Sequence, residues 1–90
     1  MTIKTLAGDL FAIYRRNLAA FLECSEDELR EVTSRLADED FEALAAAQNA
    51  AEEAAWAEAR WADPEWPRAG SEEEDEIAEA FRSLLMEAGY

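Results

Sequence analysis

The sequence predicts an all-α protein, a small compact bundle of about four helices with helix 1 at its centre. Three observations carry that expectation. The only glycines in the 90-residue chain are Gly8, Gly70 and Gly89, and the two prolines, Pro64 and Pro67, share one stretch. No window alternates apolar and polar residues between turn signals, as a strand would. Apolar residues recur instead at i, i+3, i+4 and i+7, the period of an amphipathic helix. The expected helices cover about 3–23, 26–37, 39–62 and 72–88, with a linker at 63–71, in one domain spanning 1–90.

The first helix carries Ile3, Leu6, Leu10, Ile13, Tyr14, Leu18, Phe21 and Leu22 on nearly half its circumference. An arc that wide predicts the most buried helix, touching at least two neighbours. Gly8 lowers local helix propensity by about 1 kcal/mol relative to alanine, and either permits a close crossing or frays the first turn. Asn17 falls inside the apolar arc. It reads as a side chain bonded to a loop carbonyl, with a register-fixing role as the alternative.

Ser25-Glu26-Asp27-Glu28 is a capping box for the second helix. Cys24 before the cap and Leu29 at the fourth helical position form a hydrophobic staple, so the thiol has a packing role. Leu29, Val32 and Leu36 then predict a narrow inner stripe ending near Ala37.

Asp38 is the expected N-cap of the third helix. Eleven of the 24 residues from Glu39 to Ala62 are alanine. Leu44, Ala51, Ala55 and Ala62 line up, flanked by Ala47 and Phe41. Alanine lets another helix come near while burying little area per contact, so this helix needs a partner.

Pro64 and Pro67 forbid a helix across the linker and favour an extended connection. Ser71-Glu72-Glu73-Glu74 is a second capping box. It opens a helix with Ile77, Phe81, Leu84, Leu85 and Ala88 inside and Gly89 as its stop.

Charge narrows the function classes. The chain has 22 acids, 8 bases and no histidine, a net charge of −14. Residues 1–22 carry three bases against one acid, +2, and residues 23–90 carry five bases against 21 acids, −16. So strong an excess argues against direct nucleic-acid binding, which needs clustered positive charge. Lack of histidine removes the commonest metal ligand and proton shuttle, and one cysteine makes neither an internal disulfide nor a thiolate zinc site. Asp38 to Glu42 begins like a calcium loop, but Ala43 stands where the sixth-position glycine belongs. Catalytic, cofactor-binding and metal sites are therefore expected to be none, and the chain is read as non-enzymatic.

The longest uninterrupted apolar runs, Leu18 to Leu22 and Ala43 to Ala47, are only five residues each. Neither makes a signal core or membrane span. The lone Cys24 fits a reducing cytoplasm. The chain is read as complete, soluble and cytoplasmic, without membrane contact.

Five consecutive acids, Glu72 to Glu76, repel one another with Arg82 the only base nearby. A first helical turn rewards two or three acids through the helix dipole, at about 0.3–1 kcal/mol each, and the rest are surplus. A net charge of −14 also exceeds the magnitude of about 2–8 that solubility asks of a small domain. The expected partner is accordingly a basic surface built to hold nucleic acid. Glu72, Glu73, Asp75, Glu76 and Glu79 are the first candidate binding residues, with Glu26, Asp27 and Glu31 second. Carboxylates at i and i+4 rise roughly 6 Å per step, sparser than the ~3.4 Å step of phosphates along one strand. Acids from several segments together are expected to approximate that charge density.

Trp56, Trp61 and Trp66 recur every five residues. On a helix the first two point about 140° apart, so both cannot face one core. One is expected inside, with Trp66 folding the linker over the bundle. The functional reading makes Trp61 and Trp66 an exposed anchor, tryptophan being a frequent interface hot spot.

In size, acidity and want of catalytic residues the chain resembles small acidic phage inhibitors, including anti-CRISPR and other DNA-mimic proteins. It is similar in the same general way to acidic immunity proteins of nuclease toxins. The resemblance is one of overall character, without a shared motif. It implies an inhibitor in a host cytoplasm that occupies a DNA- or RNA-binding surface on a protein complex. A structural or adaptor protein that dimerises through the alanine-rich third helix and the tryptophans is the rival expectation. In that reading, Ala51→Glu dissociates the dimer.

Overall fold

The computed structural model describes residues 2–89. Among the described residues four α-helices follow one another: α1 (Ile3–Phe21), α2 (Leu29–Glu39), α3 (Phe41–Ala62) and α4 (Glu72–Ala88), with a 3-10 turn, Glu26–Glu28, leading into α2. The small all-α bundle expected from the periodicity is what forms. No strand occurs among the described residues. The body measures 39 × 22 × 22 Å.

Local chemistry sets most of the ends. Thr2 caps α1, its hydroxyl accepting the Thr5 N–H at 3.1 Å. Glu28 reaches back to Ser25, accepting from its hydroxyl at 2.8 Å and its N–H at 3.4 Å. Gly89 ends α4 in the left-handed region at φ 79°. The α2–α3 boundary lies two residues later than expected. Asp40, not Asp38, caps α3, accepting the Ala43 N–H at 3.2 Å, and α2 continues through Glu39. Asp38-Glu39-Asp40 offers two equivalent caps; the one used leaves both Leu36 and Leu44 on covered faces.

The C-terminus of α1 closes at Phe21 through a six-to-one bond from Cys24 N–H to Ala19 O (3.0 Å) and a five-to-two bond from Glu23 N–H to Ala20 O (3.2 Å). That motif puts Glu23 at φ 54°, where a Cβ is crowded and glycine is favoured. Glu23→Gly is expected to stabilise the fold by about 0.5–1 kcal/mol, read as a higher urea midpoint at unchanged slope. A lower midpoint would show that the Glu23 side chain contributes more than its backbone costs.

Helix α1 is central. It packs against both α3 and α4, and its C-terminal end meets α2. The contact with α3 is antiparallel: Asn17 reaches Glu58, while Asp9 and Ala12 share a groove with Ala62 and Asp63. Helix α4 runs in the same direction as α1, with Glu73 and Glu76 near Ile3 and Leu6, and Phe81 against Tyr14. The core joins Leu6, Leu10, Tyr14 and Leu18 of α1 to Ala51, Ala55 and Ala59 of α3, Ile77 and Phe81 of α4, and Leu29 of α2. The small alanine face lets α1 sit close to α3. Phe81 makes edge contacts with Phe11 (6.4 Å) and Tyr14 (5.3 Å).

Packing corrects several expected stripes. Ala59, not Ala62, is the last buried residue of α3, because the contact follows the i+4 ridge as the two helices cross. Phe21 and Phe41 lie at helix ends and are 52% and 67% exposed. Thr33 is the buried partner of Leu29 on α2, its hydroxyl donating to Arg30 O, while Val32 and Leu36 are half-buried. Gly8 faces open space, so no close crossing within the chain explains it. Asn17 bonds no loop carbonyl. Its amide donates to Ile13 O one turn back (2.9 Å) and to Glu58 of α3 (3.4 Å), and Arg16 forms an ion pair with the same carboxylate.

Candidate functional site: the acidic face of α4 and its support

Ser71 caps α4 by accepting the Glu74 N–H at 3.2 Å, but the expected capping box is only half formed. The Glu74 carboxylate turns inward instead. Arg60, in the last turn of α3, donates to both its oxygens, Nε to Oε2 at 3.2 Å and Nη2 to Oε1 at 2.9 Å. Gly70 N–H adds a third bond at 3.3 Å. The Glu74 side chain is 12% exposed against 45% for Arg60, so the carboxylate is the buried member of the pair.

The Arg60 hydrogen bonds hold the Glu74 carboxyl below the ordinary carboxylate range, against the opposing effect of burial. The Gly70 N–H and the Arg60 charge pull the same way, and the Trp66 indole adds the weakest pull from outside hydrogen-bonding geometry. The unfolded chain therefore binds the Glu74 proton more readily than the folded one. The stability from this group is complete above the ordinary glutamate pKa of about 4.3 and is lost as pH falls through the lower folded value. A Glu74→Gln chain is expected to lack that acid-side loss. Thermal midpoints of the two chains should converge as pH falls below the ordinary glutamate pKa of about 4.3; parallel curves would contradict the assignment.

The other candidate acids of α4 stay outside. Glu72, Glu73, Asp75, Glu76 and Glu79 are all exposed; Glu72, Asp75 and Glu79 face away from Ile77 and Phe81, while Glu73 stands one turn before Ile77 on its side of the helix. Of the chain's 22 carboxylates, Glu58 and Glu74 form ion pairs and the other twenty form none among the described residues. Glu73 and Glu76 border a shallow groove with Thr2, Ile3, Leu6, Glu65 and Pro67.

Glu26, Asp27 and Glu31 are exposed too, but at the other end of α1. Arg15 donates to Glu26 O at 3.4 Å, whereas Glu73 and Glu76 lie beside Ile3. Ile3 and Arg15 are separated by roughly 18 Å of helix. The fold thus makes two acidic patches and does not merge the second group with the α4 row.

The tryptophans divide. Trp66 folds back and meets Trp56 edge-on, ring centroids 5.9 Å apart, and the Arg60 guanidinium lies over Trp56 at 5.5 Å. Trp66 is half-buried there, so it belongs to the linker's packing and not to an exposed anchor. Trp61 points directly away from the core and is 92% exposed. Of the expected pair, Trp61 alone is offered to a partner.

Sequence reading gave Glu74 a capping-box role and missed its ion pair with Arg60. Glu74 sits within five like residues, and the only hint was an arginine 14 positions earlier. Cys24 is half-buried beside the core, and burial with the nearby Glu28 carboxylate pushes its thiol up, Arg35 opposing, so nothing activates it. Ala51 is fully buried against α1, which disqualifies Ala51→Glu as an interface probe. Asp40, at φ −152° and ψ 73° between α2 and α3, spends its carboxylate on the α3 cap, and the residues after it continue as helix from Phe41 to Ala62. No described helix is long and apolar enough to cross a membrane. No family model, curated protein or solved structure matches the chain.

Proposed function

We propose that this chain is a non-enzymatic acidic inhibitor that occupies the basic, nucleic-acid-binding surface of a partner protein or complex, as a DNA or RNA mimic of the anti-CRISPR kind. The supporting observation is the state of its carboxylates. In a chain of net charge −14, twenty of 22 acids stay outside ion pairs among the described residues, and five exposed ones crowd the first eight residues of one helix. Unpaired like charges on one surface destabilise a free fold and attract a cationic one. Glu72, Glu73, Asp75, Glu76 and Glu79 form the main contact, Glu26, Asp27 and Glu31 a second one, and Trp61 supplies a hydrophobic anchor beside Arg60. A host cytoplasm is the setting this reading assigns.

The test is competition. A partner captured from a host lysate and eluted with salt should lose its own nucleic-acid binding when the purified acidic chain is added. Its affinity for the chain should fall at least about tenfold between 50 and 300 mM salt, as screening shortens the reach of exposed charges. A partner that binds nucleic acid and this chain together would contradict the proposal.

Trp61 favours a second reading, a dimer or adaptor built on the outer face of α3, where Ala43, Ala46 and Ala57 are also exposed. Ala57→Glu is the fitting probe. A salt-resistant dimer that this change dissociates would support it.

A further inference from the structure

We infer that the Arg60–Glu74 fork is an internal latch that fixes the acidic half of α4 in place, which makes Arg60 and Glu74 positioning residues for the acidic face and not members of it. The inference deepens the proposed function and rests on it only for naming that face as the contact.

The geometry is specific. The fork joins the last turn of α3 to the first turn of α4 across the nine-residue strap 63–71. Direct packing between the two helices is otherwise slight, since α1 lies between them. The strap is fastened to the same point. Gly70 N–H bonds the Glu74 carboxylate, Trp66 packs on Trp56, and Trp56 lies under the Arg60 guanidinium. The strap's own turns are local, with Glu65 N–H on the Asp63 carboxylate (2.9 Å), Trp66 N–H on Asp63 O (3.0 Å) and Ser71 N–H on Arg68 O (3.1 Å).

The latch has a load to carry. Glu72, Glu73, Asp75 and Glu76 flank Glu74 and repel one another at i,i+3 and i,i+4 spacing. Helix α4 is anchored on α1 by Ile77 and Phe81, beyond that run. Upstream of Ile77 the fork and the strap are what resist the repulsion. Drawing the third acid inward also leaves its neighbours on the solvent side.

Amide hydrogen exchange on the whole chain tests this. In Glu74→Gln, the amides of Trp66, Gly70, Ser71 and Asp75 are expected to exchange at least about tenfold faster, while those of Leu10 to Leu18 keep their native rates. Glu72→Gln removes the same charge without touching the fork and should leave all of them unchanged. The exchanged pair Arg60→Glu with Glu74→Arg should restore protection. Should Glu74→Gln fail to fold, Arg60→Lys decides, because it keeps the charge and loses the two-point fork. It should show the same selective loss, in smaller degree. Native exchange at residues 66–75 in Glu74→Gln and in Arg60→Lys, or acceleration spread equally through α1, would overturn the latch. No partner is needed, so that result is independent of the proposed function. If the partner reading holds, the exchanged pair should also recover affinity that Glu74→Gln loses.

Discussion

Replacing Glu76 and Glu79 together by lysine is expected to weaken binding to a cationic partner on the order of 100-fold or more, because each close charge pair becomes a like-charge clash. The two side chains are neighbours at i and i+3 on α4, and both are exposed. The fold should tolerate the change. Lysine at 76 faces Glu72 and Glu73 one turn back, and lysine at 79 faces Asp75, so repulsion within the helix is relieved. Net charge moves from −14 to −10, four units for two reversals. That bulk shift needs a control. Glu39→Lys with Glu42→Lys makes the same shift at the α2–α3 junction, where both residues are exposed. Titration of the partner with each double variant decides the matter. Loss confined to the α4 pair identifies the contact, equal loss in both points to general attraction, and retained affinity in the α4 variant ends the electrostatic account.

Phe81→Ala is the largest expected effect on the fold itself, at about 3–5 kcal/mol. Phe81 is 1% exposed and meets two aromatic edges on α1, so its removal forfeits area, leaves a cavity and deletes both ring contacts. A domain of this size has a total stability toward the low end of about 5–15 kcal/mol. The variant should therefore be largely or wholly unfolded under mild conditions, read by far-ultraviolet circular dichroism and urea titration. Met86→Ala on the same helix removes a side chain that is 83% exposed and should cost under about 0.5 kcal/mol. A Phe81→Ala chain that loses less than about 1 kcal/mol would mean that α4 is not seated on α1 as described. With α4 unseated the acidic face goes too, so binding and folding fail together in this variant. The charge reversals separate the two, since they touch only the surface.

The local grammar of the chain was legible before any coordinates. Ser25 with Glu28, Gly89 at the end of α4 and the prolines of the strap each act through bonds or steric limits within four residues. The apolar arc of α1 likewise announced its central place, because a wide arc needs more than one neighbour. Ambiguity entered where two residues had equal local claims. Asp38 and Asp40 are both good caps, and only burial of Leu36 and Leu44 on either side of the junction selected the second. That Trp66 would fold the linker back was expected, but only the strap's packing on Trp56 decided it against the exposed pair.

The candidate site shows the same division. Composition alone determined that the chain is acidic and without histidine, and residue order made it helical and placed the densest acid run at the start of the last helix. It could not single out Glu74, because five acids in a row are chemically alike until one meets a cation. Nor could it tell that Glu26 and Asp27 would lie at the far end of α1 from that run. Only the tertiary structure decided which carboxylate turned inward and which stayed out. Pairing across a strap depends on how two helices come to rest on a third, and that is settled by the side chains of α1, distant from both in sequence.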